Sequence, residues 1–310
     1  MSNDFLWVEK YRPKTIADCI LPESLKSMFT GVLDSGELPN MLFTGTAGLG
    51  KTTVARALCE QLSCDYIVIN GSEEGNIDTL RGKIKQFASS VSLQGGYKVV
   101  ILDEADYLNA QSTQPALRGF IEEFANNCRF ILTCNFKNKI ITPLHSRCGV
   151  YEFNCTKKEL SQLAGLFLKR VKELLNKENV SYETPAIASI ILEHAPDWRR
   201  VLNEIQRRSI SGHIGSNDVR DVCDYSQLVT HLKEKNFKAM RSWVVNNIDT
   251  EAAAIFRGLY DLATDKVESH SVPQLVLILA DYQYKNAFVA DHELNVVACM
   301  TEIMANVEFK

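Results

Sequence analysis

The stretch Gly45-Thr46-Ala47-Gly48-Leu49-Gly50-Lys51-Thr52 constrains this chain more than any other. It fits the phosphate-binding pattern G-x-x-x-x-G-K-[ST] without a mismatch. Its flanks fit as well: apolar Met41-Leu42-Phe43-Thr44 leads in as a strand, and Thr53 to Glu60 leads out with helical spacing. Glycines at these positions allow turns closed to residues with a Cβ, so successive N–H groups can face an anion. The helix N-terminus adds partial positive charge at the same spot. Lys51 is then placed to reach the β- and γ-phosphates of ATP, and the Thr52 hydroxyl to ligate Mg2+.

A second stretch supports this reading. Lys98-Val99-Val100-Ile101-Leu102-Asp103-Glu104-Ala105-Asp106 is a buried strand with acids at its C-terminal end, where α/β sheets place their ligands. Asp103 is placed to hold Mg2+, and Glu104 to orient and deprotonate an attacking water. The pair indicates hydrolysis, because a nucleotide sensor needs no carboxylate beside the metal ligand. A third buried strand, Arg129 to Cys134, ends at Asn135, whose amide can bond the attacking water or the γ-phosphate. Arg147, a little further on in Pro143-Leu144-His145-Ser146-Arg147-Cys148, reads either as surface charge or as a finger for a neighbouring chain's γ-phosphate.

The rest of the chain supplies context. Trp7-Val8-Glu9-Lys10-Tyr11-Arg12-Pro13 reads as extended chain before Pro13, either a packing strap or a flap over the adenine ring. A helix is expected from about Glu23 to Asp34, ended by Gly36 and Pro39. Asp65 to Asn70 reads as a buried strand, and Ile77 to Ser90 as a helix carrying Arg81, Lys83 and Lys85. Strand–helix alternation stops at Asn154. Thr156-Lys157-Lys158-Glu159 is a capping box opening a helix to about Asn176, with shorter helices expected over Pro185–His194 and Trp198–Ile210. Five more helical stretches fill residues 226–310.

At 310 residues the chain is long enough for about two domains. No apolar run approaches a membrane span, and Met1 to Lys10 lack the pattern of a secretion signal, so a cytoplasmic protein is expected. The nine cysteines contain no C-x-x-C pair and read as reduced packing residues. Net charge is −4 and no segment is broadly basic, so any grip on DNA must come from a local strip of cations or from strips pooled between several subunits.

Together these stretches resemble the AAA+ ATPase subunits of sliding-clamp loaders, nearly end to end. The Trp7 to Pro13 cluster looks like the adenine-side motif of replication factor C subunits, so Val8, Tyr11 and Arg12 join Gly45 to Thr53 in the nucleotide site. Asp197-Trp198-Arg199-Arg200-Val201-Leu202-Asn203 looks like the lid sensor motif, and Ala280 to Lys285 resembles the collar domain. The resemblance implies a fold of three parts. An α/β P-loop AAA+ domain, a parallel sheet flanked by helices, spans residues 1–153; a small all-α lid spans 154–224; an all-α collar for oligomerisation spans 225–310.

It also implies roles. Asn135 is the first sensor, and Arg199 the second, touching the γ-phosphate of the same subunit. Arg147 is the finger for the next subunit's ATP. Gln114 and Arg118 lie on a coupling helix, with Arg118 facing the neighbouring site. Arg81, Lys83 and Lys85, a solvated helix face when read alone, become the DNA-lining strip, and Phe87 a clamp contact. The implied partners are the sliding clamp, primer–template DNA, further copies of the chain and a distinct small subunit.

The loop reads T-A-G-L-G-K-T where cellular members have P-P-G-T-G-K, and the cysteine-ligated zinc module of bacterial loader subunits is missing. Both favour a phage-type large subunit over an archaeal small subunit. The competing readings are another AAA+ class, a branch-migration motor or replication initiator, and a non-catalytic scaffold. The first needs a DNA-binding module that residues 226–310 do not offer. Intact Lys51, Thr52, Asp103, Glu104 and Arg147 weigh against the second.

Overall fold

A computed structural model describes residues 5–90, 97–215, 225–247 and 252–310. The chain divides into two compact units, residues 1–219 and 220–310.

The first unit opens with a short helix, α1 (Trp7–Lys10), where extended chain was expected. Pro13 restricts only Arg12 before it, which leaves the preceding residues free to close a turn. Helix α2 (Glu23–Ser35) ends at Gly36, whose φ of 69° is the left-handed cap that glycine accommodates. Strand β1 (Met41–Thr44) runs through the phosphate loop into α3 (Lys51–Gln61), followed by β2 (Asp65–Asn70) and α4 (Ile77–Ser89). Strand β3 (Lys98–Asp103), α5 (Thr113–Glu123) and β4 (Cys128–Cys134) come next. A one-turn α6 (Thr142–His145) leads to β5 (Gly149–Glu152).

The five strands form one parallel sheet in the order β2-β3-β4-β1-β5. The period of two sorts its residues onto two buried faces. Met41, Phe43, Val99, Ile101 and Ile131 pack with Phe29, Val54 and Leu58 on one side. Leu42, Val100, Leu102, Phe130 and Leu132 pack with Leu80, Ile84 and Leu117 on the other. Strand β5, too short and too exposed to read from sequence, completes the edge beside β1.

Helix α7 (Lys157–Lys177) starts at the expected capping box, with Thr156 and Glu159 each bonding the other's backbone N–H. Then come β6 (Ser181–Tyr182), α8 (Thr184–His194), α9 (Trp198–Ser209) and β7 (His213–Ile214). β6 and β7 pair as a small parallel ribbon that the helical patterning did not announce. Phe167, Val171, Ile187, Ile190, Trp198 and Val201 form the core of this layer, and Trp7 of α1 belongs to it. Trp7 N–H donates to Gln206 Oε1 at 2.9 Å, and Tyr11 and Lys10 both bond Glu178, which ties the N-terminal segment to α7 and α9.

The second unit holds α10 (Tyr225–Lys233), α11 (Phe237–Asn246), α12 (Ala252–Lys266), α13 (Val272–Lys285) and α14 (His292–Asn306) around a core that includes Leu228, Met240, Leu259, Leu275 and Met300. The helix expected from Thr250 begins, among the described residues, at Ala252. No helix among the described residues is long and apolar enough to cross a membrane.

Candidate functional site

The C-terminal ends of β1, β3 and β4 meet at one point. Register pairs Thr44 with Cys134 and Leu102 with Leu132, so Gly45 emerges beside Asn135 and Asp103 beside Thr133. The loop from Gly45 to Gly50 then turns back over them through three glycines with positive φ. Gly45 lies so close to the strand exit that an added Cβ would stand 2.8 Å from Phe153 O. Gly48 is tighter still, because its Cβ would fall 1.8 Å from Asp197 Oδ1.

Lys51 is only 8% exposed, and its ammonium donates to Gly45 O at 2.7 Å, Thr46 O at 2.8 Å and Asn135 Oδ1 at 2.9 Å. Burial holds its pKa below the ordinary lysine value, partly offset by Asp103 and Asp106. The Thr52 hydroxyl donates to Asp103 Oδ1 at 2.6 Å. The same oxygen accepts from Thr133 Oγ1 at 2.5 Å. Thr133 Oγ1 in turn receives the Glu104 N–H at 3.2 Å. Glu104 sits at φ 54°, a left-handed conformation that costs a non-glycine residue about 1–2 kcal/mol and is retained where the surroundings enforce it.

Two cavities flank the loop and share Gly48, Gly50, Thr53 and Arg199. One is polar, lined by Ala47, Lys51, Thr52, Asp103, Glu104, Thr133 and Asn135, and suits a chain of phosphates. The other is mostly apolar, lined among others by Val8, Tyr11, Leu49, Phe167 and Trp198, with Arg12 and Arg170 at its edges, and suits a purine. Arg12 pairs with Glu9, and Arg170 donates to Tyr11 O at 2.9 Å and Asp18 O at 2.5 Å. Loop residue Thr46 enters through its carbonyl on Lys51. Arg199 reaches the site from the exposed first turn of α9, which Asp197 caps by accepting from Arg200 N–H at 3.0 Å.

The remaining expected residues lie elsewhere. Arg147 lines neither cavity. Its guanidinium bonds Glu122 through Nε and Nη2, and Pro143 O at 2.8 Å through Nη1. Arg147 in turn keeps the Glu122 carboxyl below its ordinary pKa. Arg118 stands 4.0 Å from the same Glu122. Gln114 is buried, donating to Leu108 O and Lys139 O at 3.0 Å and accepting from Ile141 N–H at 2.9 Å. It thereby fastens α5 to the segments following β3 and β4. On α4, Arg81 is exposed, Lys83 pairs with Glu74, and Lys85 lies 4.0 Å from Glu123. Phe87 is half-buried against the core, with the Lys98 ammonium 4.9 Å from its ring centre.

Sequence reading missed Thr133, a polar residue buried at a strand end, and Asp197, which lies far from the loop in sequence. Its polarity inside Ile131-Leu132-Thr133-Cys134 was the available signal for the first. For the second it was the place of Asp197 at the head of the motif that carries Arg199. The described cysteines are free, and most are buried as packing residues; Cys223 lies outside the described residues. No cluster of three or more His, Cys, Asp or Glu that could hold a metal occurs among the described residues. Thr52 and Asp103 are the residues that could hold Mg2+, an ion that commonly takes few protein ligands beside phosphates and water.

A parallel sheet with a phosphate loop, paired acids and a polar third-strand end is the frame of a P-loop nucleotide hydrolase. Residues 41–156 match the AAA family, ATPase family associated with various cellular activities. The fold is similar to that of a Thermotoga maritima RuvB variant, with a TM-score of 0.54 over 91% of this chain and 90% of that one; at 21% identity this is a likeness of fold alone. The chain is 31% identical to the sliding-clamp-loader large subunit of Escherichia phage RB69, over 87% of this chain and 92% of the relative. It is 28% identical to the phage T4 sliding-clamp-loader large subunit, over 97% and 96%. Identity to the replication factor C small subunit of Archaeoglobus fulgidus is 35%, over 70% and 68%. The chain belongs to the clamp-loader family of AAA+ ATPases: it binds and hydrolyses nucleotide as a clamp-loader subunit.

Proposed function

We propose that each ATP is held by one chain and completed by the next, so that hydrolysis reports assembly on DNA. The observation carrying this is the placement of Arg147. The chain's own cavities gather Lys51, Thr52, Asp103, Glu104, Asn135 and Arg199 but not Arg147, which is held away from them on Glu122. In this reading the loop N–H groups, Lys51 and Arg199 bind and orient the triphosphate, and Thr52 and Asp103 hold Mg2+. The bound metal would supply charge neutralisation between the phosphates. Glu104 takes the proton of the attacking water, Asn135 orients that water or the γ-phosphate, and Arg147 of an adjoining copy stabilises the charge that develops.

The partners are a sliding clamp, primer–template DNA, further copies of this chain and a distinct small subunit, the arrangement of a phage-type large subunit. Residues 154–224 serve as the lid and 225–310 as the collar that holds copies together. ATP closes a spiral of subunits and opens the clamp. DNA felt through Arg81, Lys83 and Lys85 aligns the arginine with Glu104, with Gln114 and Arg118 of α5 linking the two and Phe87 near the clamp contact. Hydrolysis then releases the loader.

The test is DNA- and clamp-stimulated ATP turnover in mixed assemblies containing Arg147→Ala. The expected loss is roughly 10³–10⁵-fold at each affected site, with nucleotide binding by the variant chain itself unchanged. Unchanged stimulated turnover would overturn the shared-site scheme.

A further inference from the structure

The proposed chemistry leaves one buried acid of the site without a task. Asp106, 6% exposed, lies in the single 3-10 turn from Ala105 to Tyr107 that follows Glu104. Its Oδ2 accepts the N–H of Asn135 at 3.3 Å and that of Phe136 at 3.2 Å. Its Oδ1 is buried and has no hydrogen-bond partner. Burying a carboxyl with one oxygen unpaired costs folding free energy, so such a group calls for an explanation beyond packing. An apolar side chain would fill the same space without that cost. It could not accept the two N–H groups by which β3's exit grips β4's exit.

We propose that Asp106 is a positioning residue for hydrolysis: it fixes the Asn135 turn, and through it the Asn135 amide, against Lys51 and the γ-phosphate. The geometry runs in one line. Asp106 Oδ2 holds the backbone of residues 135 and 136, Asn135 Oδ1 accepts from Lys51 Nζ at 2.9 Å, and Lys51 rests on the phosphate loop. One buried carboxyl thus sets the group that acts on the water or the terminal phosphate, without reaching either itself. This rests on the reading of Asn135 given above.

The experiment is a double-mutant cycle in the full-length chain within its loader assembly, with DNA-stimulated turnover, affinity for a non-hydrolysable ATP analogue, and amide hydrogen exchange over residues 133–137 as readouts. Asp106→Ala is expected to slow turnover about 10–100-fold, the range for removing a group that orients a functional one. Exchange at Asn135 and Phe136 should speed up with it. Asp106→Asn keeps an oxygen to accept both N–H groups, so exchange protection and most of the turnover should return. In an Asn135→Ala background, Asp106→Ala should slow turnover no further.

If Asp106→Ala fails to fold, Asp106→Asn decides alone: turnover near wild type supports the proposal, and turnover as low as that of Asn135→Ala overturns it. A defect from Asp106→Ala that multiplies with the Asn135→Ala defect overturns the inference while leaving the role of Asn135 intact. Normal turnover in Asn135→Ala overturns the Asn135 reading itself, and the inference with it.

Discussion

Replacing Gly48 by alanine asks whether the phosphate loop and α9 form a single site. A methyl built on Gly48 would lie 1.8 Å from Asp197 Oδ1, 2.3 Å from its Cγ and 2.9 Å from its Cα. A carboxylate tip can swing aside, but an α-carbon moves only with its backbone. The Asp197 turn therefore has to retreat, and Trp198 and Arg199, which line the nucleotide cavity, retreat with it. The left-handed backbone, φ 77°, costs alanine about 1–2 kcal/mol. Forced overpacking adds about 1–3 kcal/mol, and disturbing the Asp197 cap about 1 kcal/mol.

Gly50 supplies the internal control, since its φ is 86° but nothing lies within 4 Å of its added methyl. Gly50→Ala carries only the backbone penalty. The two variants should differ by about 2–4 kcal/mol, a gap in Tm of roughly 4 °C or more for a unit of this size. The assay is thermal unfolding without nucleotide, joined by a Gly48→Ala/Asp197→Ala double variant. Removing the Asp197 carboxyl relieves the two shortest contacts, so the double should melt higher than the sum of its singles implies. Equal melting of Gly48→Ala and Gly50→Ala, or a strictly additive double, would refute the reasoning.

Thr133→Val keeps the side-chain volume but leaves the Glu104 N–H unpaired; it should cost about 1–3 kcal/mol in denaturant unfolding and weaken the Mg2+ dependence of ATP-analogue binding. Lys10 and the Tyr11 hydroxyl hold the Glu178 carboxyl below its ordinary range. A lowered folded-state pKa contributes stability that is present above the ordinary carboxylate range and lost as pH falls through the lowered value. Acidification should therefore release the N-terminal segment and expose Trp7, an acid step in tryptophan fluorescence that Glu178→Gln lacks. Burial raises the thiols of Cys19 and Cys128 to about 11 and that of Cys148 to about 12. Alkylation of the native protein near neutral pH, followed by peptide mapping, should modify half-buried Cys64 and Cys155 well before these three.

The parts legible in sequence are those whose chemistry is local. The phosphate loop, the acids after β3 and the Thr156 capping box each need only a few consecutive residues to declare themselves. The cap at Gly36 was legible for the same reason. Contacts between distant segments were not: nothing near Gly48 announces Asp197, and nothing near Arg147 announces Glu122. Strand β5 escaped because Gly149-Val150-Tyr151-Glu152 is short and partly exposed, so neither a buried run nor a clear alternation marks it. At Trp7 the proline three positions beyond Lys10 was given too long a reach. The N-terminal segment also belongs to the packing of α7 and α9, which only the folded chain reveals.

The hydroxyl of Thr133 possesses a single hydrogen, and Asp103 takes it while the backbone of Glu104 leans on the oxygen left over. Asp103 and the backbone of Glu104 are consequently joined through one hydroxyl with one orientation. Serine retains a hydroxyl that can serve both contacts, whereas a side chain that only accepts would keep the Glu104 contact and lose the one to Asp103. With Asp103 proposed to hold the metal and Glu104 the attacking water, both halves of the proposed reaction share that one hydroxyl.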